Sequence, residues 1–356
     1  MFHALIMAGG FGTRLWPLSR RGRPKQSLTL VGERTMFEHA VDRIAPIFQP
    51  EQIFVVTGAE HVASLKAQAP ELPPGNFIVE PEGRGTAPAI GLGAIHLRRQ
   101  DPEAIMAVLT ADHFIADAER FRRALTAAAQ VAADNHLVTL GISPSFPSTG
   151  YGYIKQGQSL GMMEGFPIFQ AERFTEKPSP ETAFHMVESG EYSWNSGMFI
   201  WQVDRILKEF QHQMPEFYVQ LAEVETTLGT PGYEAALNRV WPRVTKQTID
   251  YGVMEGADDV AVMPVDIGWS DIGSWTSLLE LLPTDQDGNT VVGSHVGIDT
   301  HDTLVFGGKR LVATIGLEGM VIVDTEDALL VCPSDREQEV RAIVRQLERK
   351  KREEYL

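Results

Sequence analysis

Cysteine is nearly absent from this sequence: Cys332 stands alone among 356 residues, so no disulfide can close within the chain. It sits in the apolar run Ala328 to Cys332, where a thiol reads as a buried strand residue. Long apolar runs are missing as well. None reaches 18 residues, and the N-terminus has neither the basic n-region nor the apolar h-region of a secretory signal. No membrane-spanning segment is expected, and a cytoplasmic, reducing compartment is the default. Basic charge is scarce: 31 Lys and Arg face 47 Asp and Glu, for a net charge of −16. That balance argues against a nucleic-acid surface or an anionic membrane as partner. An anionic small molecule could be held only by positive charge gathered locally, against the field of the whole protein.

What is present is concentrated in the first 26 residues. The apolar run Phe2 to Met7 reads as a buried strand, and it empties into Ala8-Gly9-Gly10-Phe11-Gly12-Thr13-Arg14-Leu15. Gly9, Gly10 and Gly12 remove three Cβ atoms, so successive backbone N–H groups can close around an anion. Arg14, and Lys25 in Pro24-Lys25-Gln26, add two fixed cations, as a polyphosphate requires. The spacing is not that of a Walker loop, and it lacks the third glycine of a dinucleotide fingerprint.

Beyond the loop, apolar runs alternate with amphipathic stretches. Strands are predicted at Ile53–Thr57, Phe77–Val79, Ile105–Thr110 and Leu137–Ile142, and helices at Ala59–Gln68, Ala87–Arg99 and Glu119–Ala133. Continuous apolar strands separated by such helices indicate an α/β fold with a doubly wound, mainly parallel sheet. Ligands of such sheets bind beyond the carboxyl ends of the strands, and Glu80, Asp112 and Glu176 all fall there. From Ser143 the pattern changes to antiparallel strands at Tyr151–Lys155 and Phe169–Phe174, a helix at Pro180–Ser189, and a loop entering a strand at Trp194–Trp201. Helices run on to about Glu255, and Val260–Val265 is a last strand. The polar cluster Pro283 to Asn289 marks a boundary. Residues 1–283 then form one large domain, and 284–356 a small β-rich domain ending in a helix with Val340, Ile343, Val344 and Leu347 on one face. The Lys and Arg crowding the end of that helix read as solvated charge at its negative pole.

The run from Gly9 to Arg20, with Pro24-Lys25-Gln26, resembles the signature of the sugar-nucleotide pyrophosphorylases. The likeness extends over roughly Met1 to Leu282 and implies a Rossmann-like nucleotidyltransferase fold. It further implies GTP and mannose 1-phosphate as substrates, GDP-mannose and pyrophosphate as products, Mg²⁺ as cofactor and a homodimer as the assembly. Another pairing, glucose 1-phosphate with UTP or dTTP, and a non-catalytic sugar-nucleotide-binding regulator are the alternatives. Regulatory relatives typically lose the loop cations or a metal aspartate, and Arg14, Lys25, Asp112 and Asp271 are all present.

Nucleotidyl transfer needs in-line placement and cations on both phosphate groups more than covalent help. Asp112 and Asp271, each after an apolar run, match the family's metal-binding positions, with Asp266 a rival for the second. Glu80, in the turn Glu80 to Pro88 that also carries Gly85, suits guanine, because a carboxylate can accept from N1–H and the exocyclic amino group together. Gly152, Glu176, Lys177 and Asn195 match the family's sugar-phosphate positions. In relatives the C-terminal segment is a small β-structure, often a short left-handed β-helix, although residues 290–332 show no hexapeptide repeat. The chain ends after its helix, so the second enzyme domain fused to some relatives is expected to be absent.

Overall fold

The computed structural model spans Met1–Leu356 and describes every residue except residue 11; Phe11 of the glycine loop therefore lies outside the described residues. The strands in chain order are β1 (Phe2–Ala8), β2 (Ile53–Gly58), β3 (Phe77–Glu80), β4 (Ile105–Thr110), β5 (Phe114–Ile115), β6 (Leu137–Ile142), β7 (Tyr153–Met163) and β8 (Phe166–Thr175). They continue with β9 (Tyr192–Gln202), β10 (Val260–Val265), β11 (Trp269–Ser270), β12 (Thr290–Ile298), β13 (Leu304–Ile315), β14 (Met320–Asp324) and β15 (Leu329–Pro333). The helices are α1 (Met36–Ile44), α2 (Val62–Gln68), α3 (Thr86–Gln100), α4 (Ala118–Ala133), α5 (Pro180–Ser189), α6 (Val203–Gln213), α7 (Pro215–Glu225), α8 (Tyr233–Val240), α9 (Trp275–Leu281) and α10 (Val340–Arg349). Among the described residues no helix is long and apolar enough to cross a membrane.

Contacts divide the chain into two compact units. The first comprises Met1–Gly9, Ala40–Ala111 and Ile115–Trp269. Its nine-stranded sheet has the order β3-β2-β1-β4-β9-β6-β10-β8-β7, giving the expected α/β class. β1, β2, β3 and β4 run parallel because α1, α2 and α3 carry the chain back between them, and β6 and β10 are also parallel. β9 lies antiparallel between β4 and β6, and β7 with β8 forms an antiparallel ribbon at the far edge. Leu5 and Ile6 point to opposite faces of β1, yet both are fully buried, so the sheet is covered on both sides. Leu5 shares a core with Ile90 and Leu97 of α3, Phe210 of α6 and Phe217 of α7.

Local chemistry sets the element ends. α5 occupies the predicted residues because the Ser179 side chain accepts from the Thr182 N–H, Pro180 opens the first turn, and Gly190 closes the helix in the left-handed conformation. α2 begins at Val62 instead of Ala59: the His61 N–H bonds back to the Gly58 carbonyl, making a turn of the residues between. Trp194–Gly197, predicted as loop, lies inside β9, whose register against β6 shifts between Thr139 and Gly141.

The second unit comprises Gly10–His39, Asp112–Phe114 and Ser270–Leu356. Leu15, Trp16 and Leu28 from its first segment share a core with Trp275, Leu304, Phe306, Val321, Val340 and Val344. Trp16 is fixed at both ends of its residue: its indole N–H donates to the Tyr355 carbonyl at 2.8 Å, and its carbonyl accepts from the Trp275 indole at 3.3 Å. The Glu337 carboxylate accepts from the backbone N–H groups of Trp275 and Thr276, closing the N-terminus of α9. On α10, Val340 and Val344 are buried as the helical face predicts, whereas Ile343 is 41% exposed.

β12, β13 and β14 pair in parallel although only the short segment 299–303 links the first two, far less than a crossover needs. The chain winds instead. Residues 290–292 pair with 304–306, and, after a corner, 294–298 pair with 311–315. Gly293 turns that corner at φ 110°, where a Cβ would come within 2.6 Å of the Gly307 carbonyl oxygen. His301 and Glu318 bridge on a further side. The result is a β-helix-like coil, and the segment Gly307 to Arg310, inserted in one turn and not in the one before, removes any constant repeat.

Candidate active site

A cavity of about 260 Å³ in the second unit is lined by Gly12, Thr13, Arg14, Lys25, Asp112 and Asp271, joined by Arg341. Gly12 starts the turn Thr13–Leu15 at φ 61°, and a Cβ there would lie 2.6 Å from the Lys25 Cβ, so only glycine lets the two loop segments close. The Ser19 hydroxyl donates to the Gly12 carbonyl at 2.7 Å and the Leu15 N–H to the same carbonyl at 3.0 Å. Gly10, at φ 98°, is exposed with open space where a Cβ would be.

Lys25 is 6% exposed, and its ammonium donates to Asp112 Oδ2 at 2.9 Å and to the Asp271 backbone carbonyl. Burial pushes the Asp112 carboxyl up, but the Lys25 ammonium and then His113 outweigh it and hold the group below the usual carboxylate range. Asp112 is therefore ionised at neutral pH. Asp271 Oδ1 accepts from the Gly273 N–H at 3.0 Å, and a Cβ on Gly273 would come within 2.5 Å of Asp271 Oδ2 and 2.8 Å of an Arg14 guanidinium nitrogen. The intervening Ile272 is fully buried at φ 39°, a strained position for a β-branched residue. Asp266, the rival, is exposed and belongs to the first unit.

In the first unit, Ala8 ends β1 and Gly9 follows it. Glu80 closes β3 and is 7% exposed. Burial raises its carboxyl to about 8; the Arg84 backbone N–H opposes that and nearby Glu60 adds to it. The following turn is zipped to residues 247–249. The Gln247 N–H donates to the Arg84 carbonyl at 3.0 Å, the Ala87 N–H to the Gln247 carbonyl at 3.2 Å, and the Ile249 N–H to the Thr86 hydroxyl at 2.8 Å. Gly85, at φ 90°, leaves no room for a Cβ, which would sit 2.3 Å from the Gln247 carbonyl oxygen. Glu82 is occupied by an ion pair with Arg84.

A smaller cleft in the same unit is lined by Gly152, Glu176, Asn195, Asp250 and Glu255. A Cβ on Gly152 would reach within 2.6 Å of Glu176 Oε2, so glycine makes room for the carboxylate, while the Gly152 carbonyl accepts from the Asn195 N–H at 2.8 Å. The Asn195 amide donates to Asp250 Oδ1 at 2.6 Å, and its oxygen accepts from the Gly197 N–H at 3.1 Å. Burial raises the Asp250 carboxyl. Burial also raises Glu255, with Asp250 and Glu176 adding to it. The cleft thus offers hydroxyl-binding carboxylates and an amide whose orientation is fixed. Lys177, at φ 46°, is 63% exposed at its side chain and pairs with Glu176.

The structure therefore gathers Gly12, Thr13, Arg14, Lys25, Asp112 and Asp271 around one cavity, and Gly152, Glu176 and Asn195 around another. Sequence reasoning missed Asp250, Glu255 and Arg341. Asp250–Met254 is a π-turn in which the Glu255 N–H bonds to the Asp250 carbonyl at 3.0 Å, returning Glu255 toward Asp250. In an α-helix, residues five apart diverge by about 140°. The only hint was two acids flanking the glycine-containing stretch Tyr251-Gly252-Val253-Met254.

Residues 3–288 match the family model described as nucleotidyl transferase, and residues 293–347 match one described as MannoseP isomerase/GMP-like beta-helix domain. The chain is 41% identical over 350 residues to the xanthan biosynthesis protein XanB of Xanthomonas campestris pv. campestris, spanning 96% of this chain and 72% of that protein. It is 38% identical over 362 residues to the mannose-1-phosphate guanylyltransferase of Escherichia coli K12, spanning 99% and 75% respectively. A solved structure from Thermus thermophilus, described as a mannose-1-phosphate geranyltransferase, aligns with a TM-score of 0.88 at 34% identity, over 98% of this chain and 99% of that one.

Proposed function

The chain belongs to the nucleotidyl transferase family, and we propose that it transfers GMP from GTP to α-D-mannose 1-phosphate, giving GDP-mannose and pyrophosphate. The observation that carries this is the cavity in which Arg14 and Lys25 stand with Asp112 and Asp271. Two cations suit a triphosphate, and two carboxylates in the same space suit the divalent ion that accompanies it. Arg14 and Lys25 are the catalytic cations, and Ala8, Gly9, Gly10, Gly12 and Thr13 form the nucleotide-binding loop with them.

Asp112 and Asp271 would hold Mg²⁺. The donor set fits: both are hard oxygen ligands, and the Lys25 ammonium already sits among the Asp112 carboxylate and the Asp271 carbonyl as a cation would. Among the described residues no cluster of three or more His, Cys, Asp or Glu could hold a metal, so phosphate oxygens and water would complete the coordination. The bound ion supplies charge neutralisation on the phosphates during displacement.

A phosphate oxygen of the sugar phosphate attacks the α-phosphorus of GTP, and the bond to the β-phosphate breaks, releasing pyrophosphate. Charge on the leaving group grows through this step, so the preorganised Arg14 and Lys25 stabilise the transition state more than the ground state. Glu80 reads guanine, with Gly85 letting its turn close. Gly152, Glu176 and Asn195 bind the sugar hydroxyls, Asp250 orients the Asn195 amide, and Lys177 neutralises the sugar phosphate. Residues 1–283 form the catalytic part and 284–356 the small β-rich part. The enzyme works in the cytoplasm as a homodimer.

The test is pyrophosphate release across a grid of NTPs and sugar 1-phosphates with Mg²⁺. GTP with mannose 1-phosphate should give the highest kcat/KM. A maximum at UTP or dTTP with glucose 1-phosphate would reassign the substrates, and silence across the grid would favour a binding protein.

A further inference from the structure

α10 lies at the opposite end of the sequence from the glycine loop, yet within the second unit it packs on the turn Thr13–Leu15. Val340 and Val344 are buried beside Leu15 and Trp16, and this anchoring fixes where Arg341, in the first turn of the helix, must lie. It lines the cavity that holds Arg14, Lys25, Asp112 and Asp271.

The position is electrostatically unfavourable in the absence of a ligand. Arg341 has no ion pair or side-chain hydrogen bond among the described residues, and its pKa is lowered by burial, then by Arg14 and by Arg345. Arg14 likewise makes no ion pair among the described residues, whereas Lys25 is matched by Asp112. Two arginines facing one cavity with no ion-pair partner among the described residues, in a chain of net charge −16, describe a place made for an anion. Guanidinium groups bind phosphate through paired N–H donors, a geometry that suits the terminal oxygens of a di- or triphosphate.

We propose that Arg341 is a third substrate-binding cation, which with Arg14 grips the β- and γ-phosphates of the nucleotide and, in the reverse direction, inorganic pyrophosphate. The C-terminal segment would then complete the phosphate cavity in addition to any role in assembly. This rests on the nucleotidyl-transfer reading above.

The experiment compares the full-length parent with Arg341→Ala and Arg341→Lys in both directions, together with thermal unfolding. For Arg341→Ala, the KM for pyrophosphate in the reverse reaction should rise about tenfold or more, and forward kcat/KM for GTP should fall by a similar factor. The KM for mannose 1-phosphate should stay within about twofold, and Arg341→Lys should recover part of the loss, since it keeps the charge but not the paired donors. Thermal stability should be unchanged or raised, because a cation is removed from beside Arg14 and Arg345. Unchanged pyrophosphate KM and kcat/KM in Arg341→Ala would overturn the proposal. So would a lowered melting temperature with all KM values raised together, which is the mark of a structural role. A parent inactive in both directions would instead refute the nucleotidyl-transfer reading itself.

Discussion

Guanine selection should depend on pH through Glu80. The carboxyl ends β3 at 7% exposure, and burial holds its pKa at about 8, so at neutral pH it is mostly protonated. Accepting from both N1–H and the exocyclic amino group of guanine requires the ionised form, because the protonated acid presents a donor to a donor. With a pKa of about 8, roughly one molecule in eleven is ionised at pH 7 and about three in four at pH 8.5. Apparent affinity scales with the competent fraction, so kcat/KM for GTP should rise about eightfold over that interval. dTTP, whose base offers one donor beside an acceptor, serves as the control for everything the two nucleotides share. The assay is initial-rate pyrophosphate release at saturating mannose 1-phosphate, from pH 6.5 to 8.5, for parent and Glu80→Gln. The GTP-to-dTTP ratio of kcat/KM should climb with pH in the parent, and in Glu80→Gln it should be flat and about ten- to hundredfold lower. Stability supplies an independent check. Between about pH 4.5 and 8 the native state keeps a proton that the unfolded chain has released, so this group makes the fold less stable as pH rises through that window. Glu80→Gln should therefore unfold at a higher temperature than the parent at pH 8.5. A GTP-to-dTTP ratio in the parent that does not move with pH would refute the assignment of Glu80 as the base reader.

The other predictions concern the two cavities. Lys25→Ala should lower kcat by about 10²-fold or more while weakening nucleotide binding less, since its cation acts on charge that grows in the transition state. The acid limb of its pH–rate profile should also move upward, because the Asp112 carboxyl loses the ammonium that holds it down; near-parental turnover would sink this assignment. Asp112→Asn and Asp271→Asn should each need far more Mg²⁺ for half-maximal rate, and Mg²⁺ titrations that overlay the parent would put the metal elsewhere, with Asp266 the next candidate. Asp250→Asn removes the charged acceptor that orients the Asn195 amide. The KM for mannose 1-phosphate should rise about ten- to hundredfold with little change for GTP, and equal changes in both would point to a folding defect instead.

Much of the fold was written locally. β4, β6 and β10 fall on the predicted apolar runs, and α5 follows from Ser179, Pro180 and Gly190 acting within one or two turns. The glycine-and-cation loop was legible for the same reason: Gly12, Arg14 and Lys25 are close neighbours in the chain, and spacing alone brings them within one loop. The remainder depended on residues far apart in sequence. Whether Glu80 is a solvated loop acid or a buried, protonated one is decided by what covers β3, since desolvation is a property of the surroundings. Asp250 and Glu255 share a cleft through a π-turn that no 3.6-residue period foretells. The coil of β12 to β14 has no repeat to read, because the segment Gly307 to Arg310 interrupts it and pairing register holds it together. Arg341 reaches the cavity of Arg14 and Lys25 only because Val340 and Val344 find their burial beside Leu15 and Trp16. Sequence by itself determined the elements and the glycine-and-cation loop, where hydrogen bonds and side-chain spacing act over a few residues. Tertiary structure decided which charges face one another and which lose their water, because Coulomb and desolvation energies depend on distance in space and not along the chain.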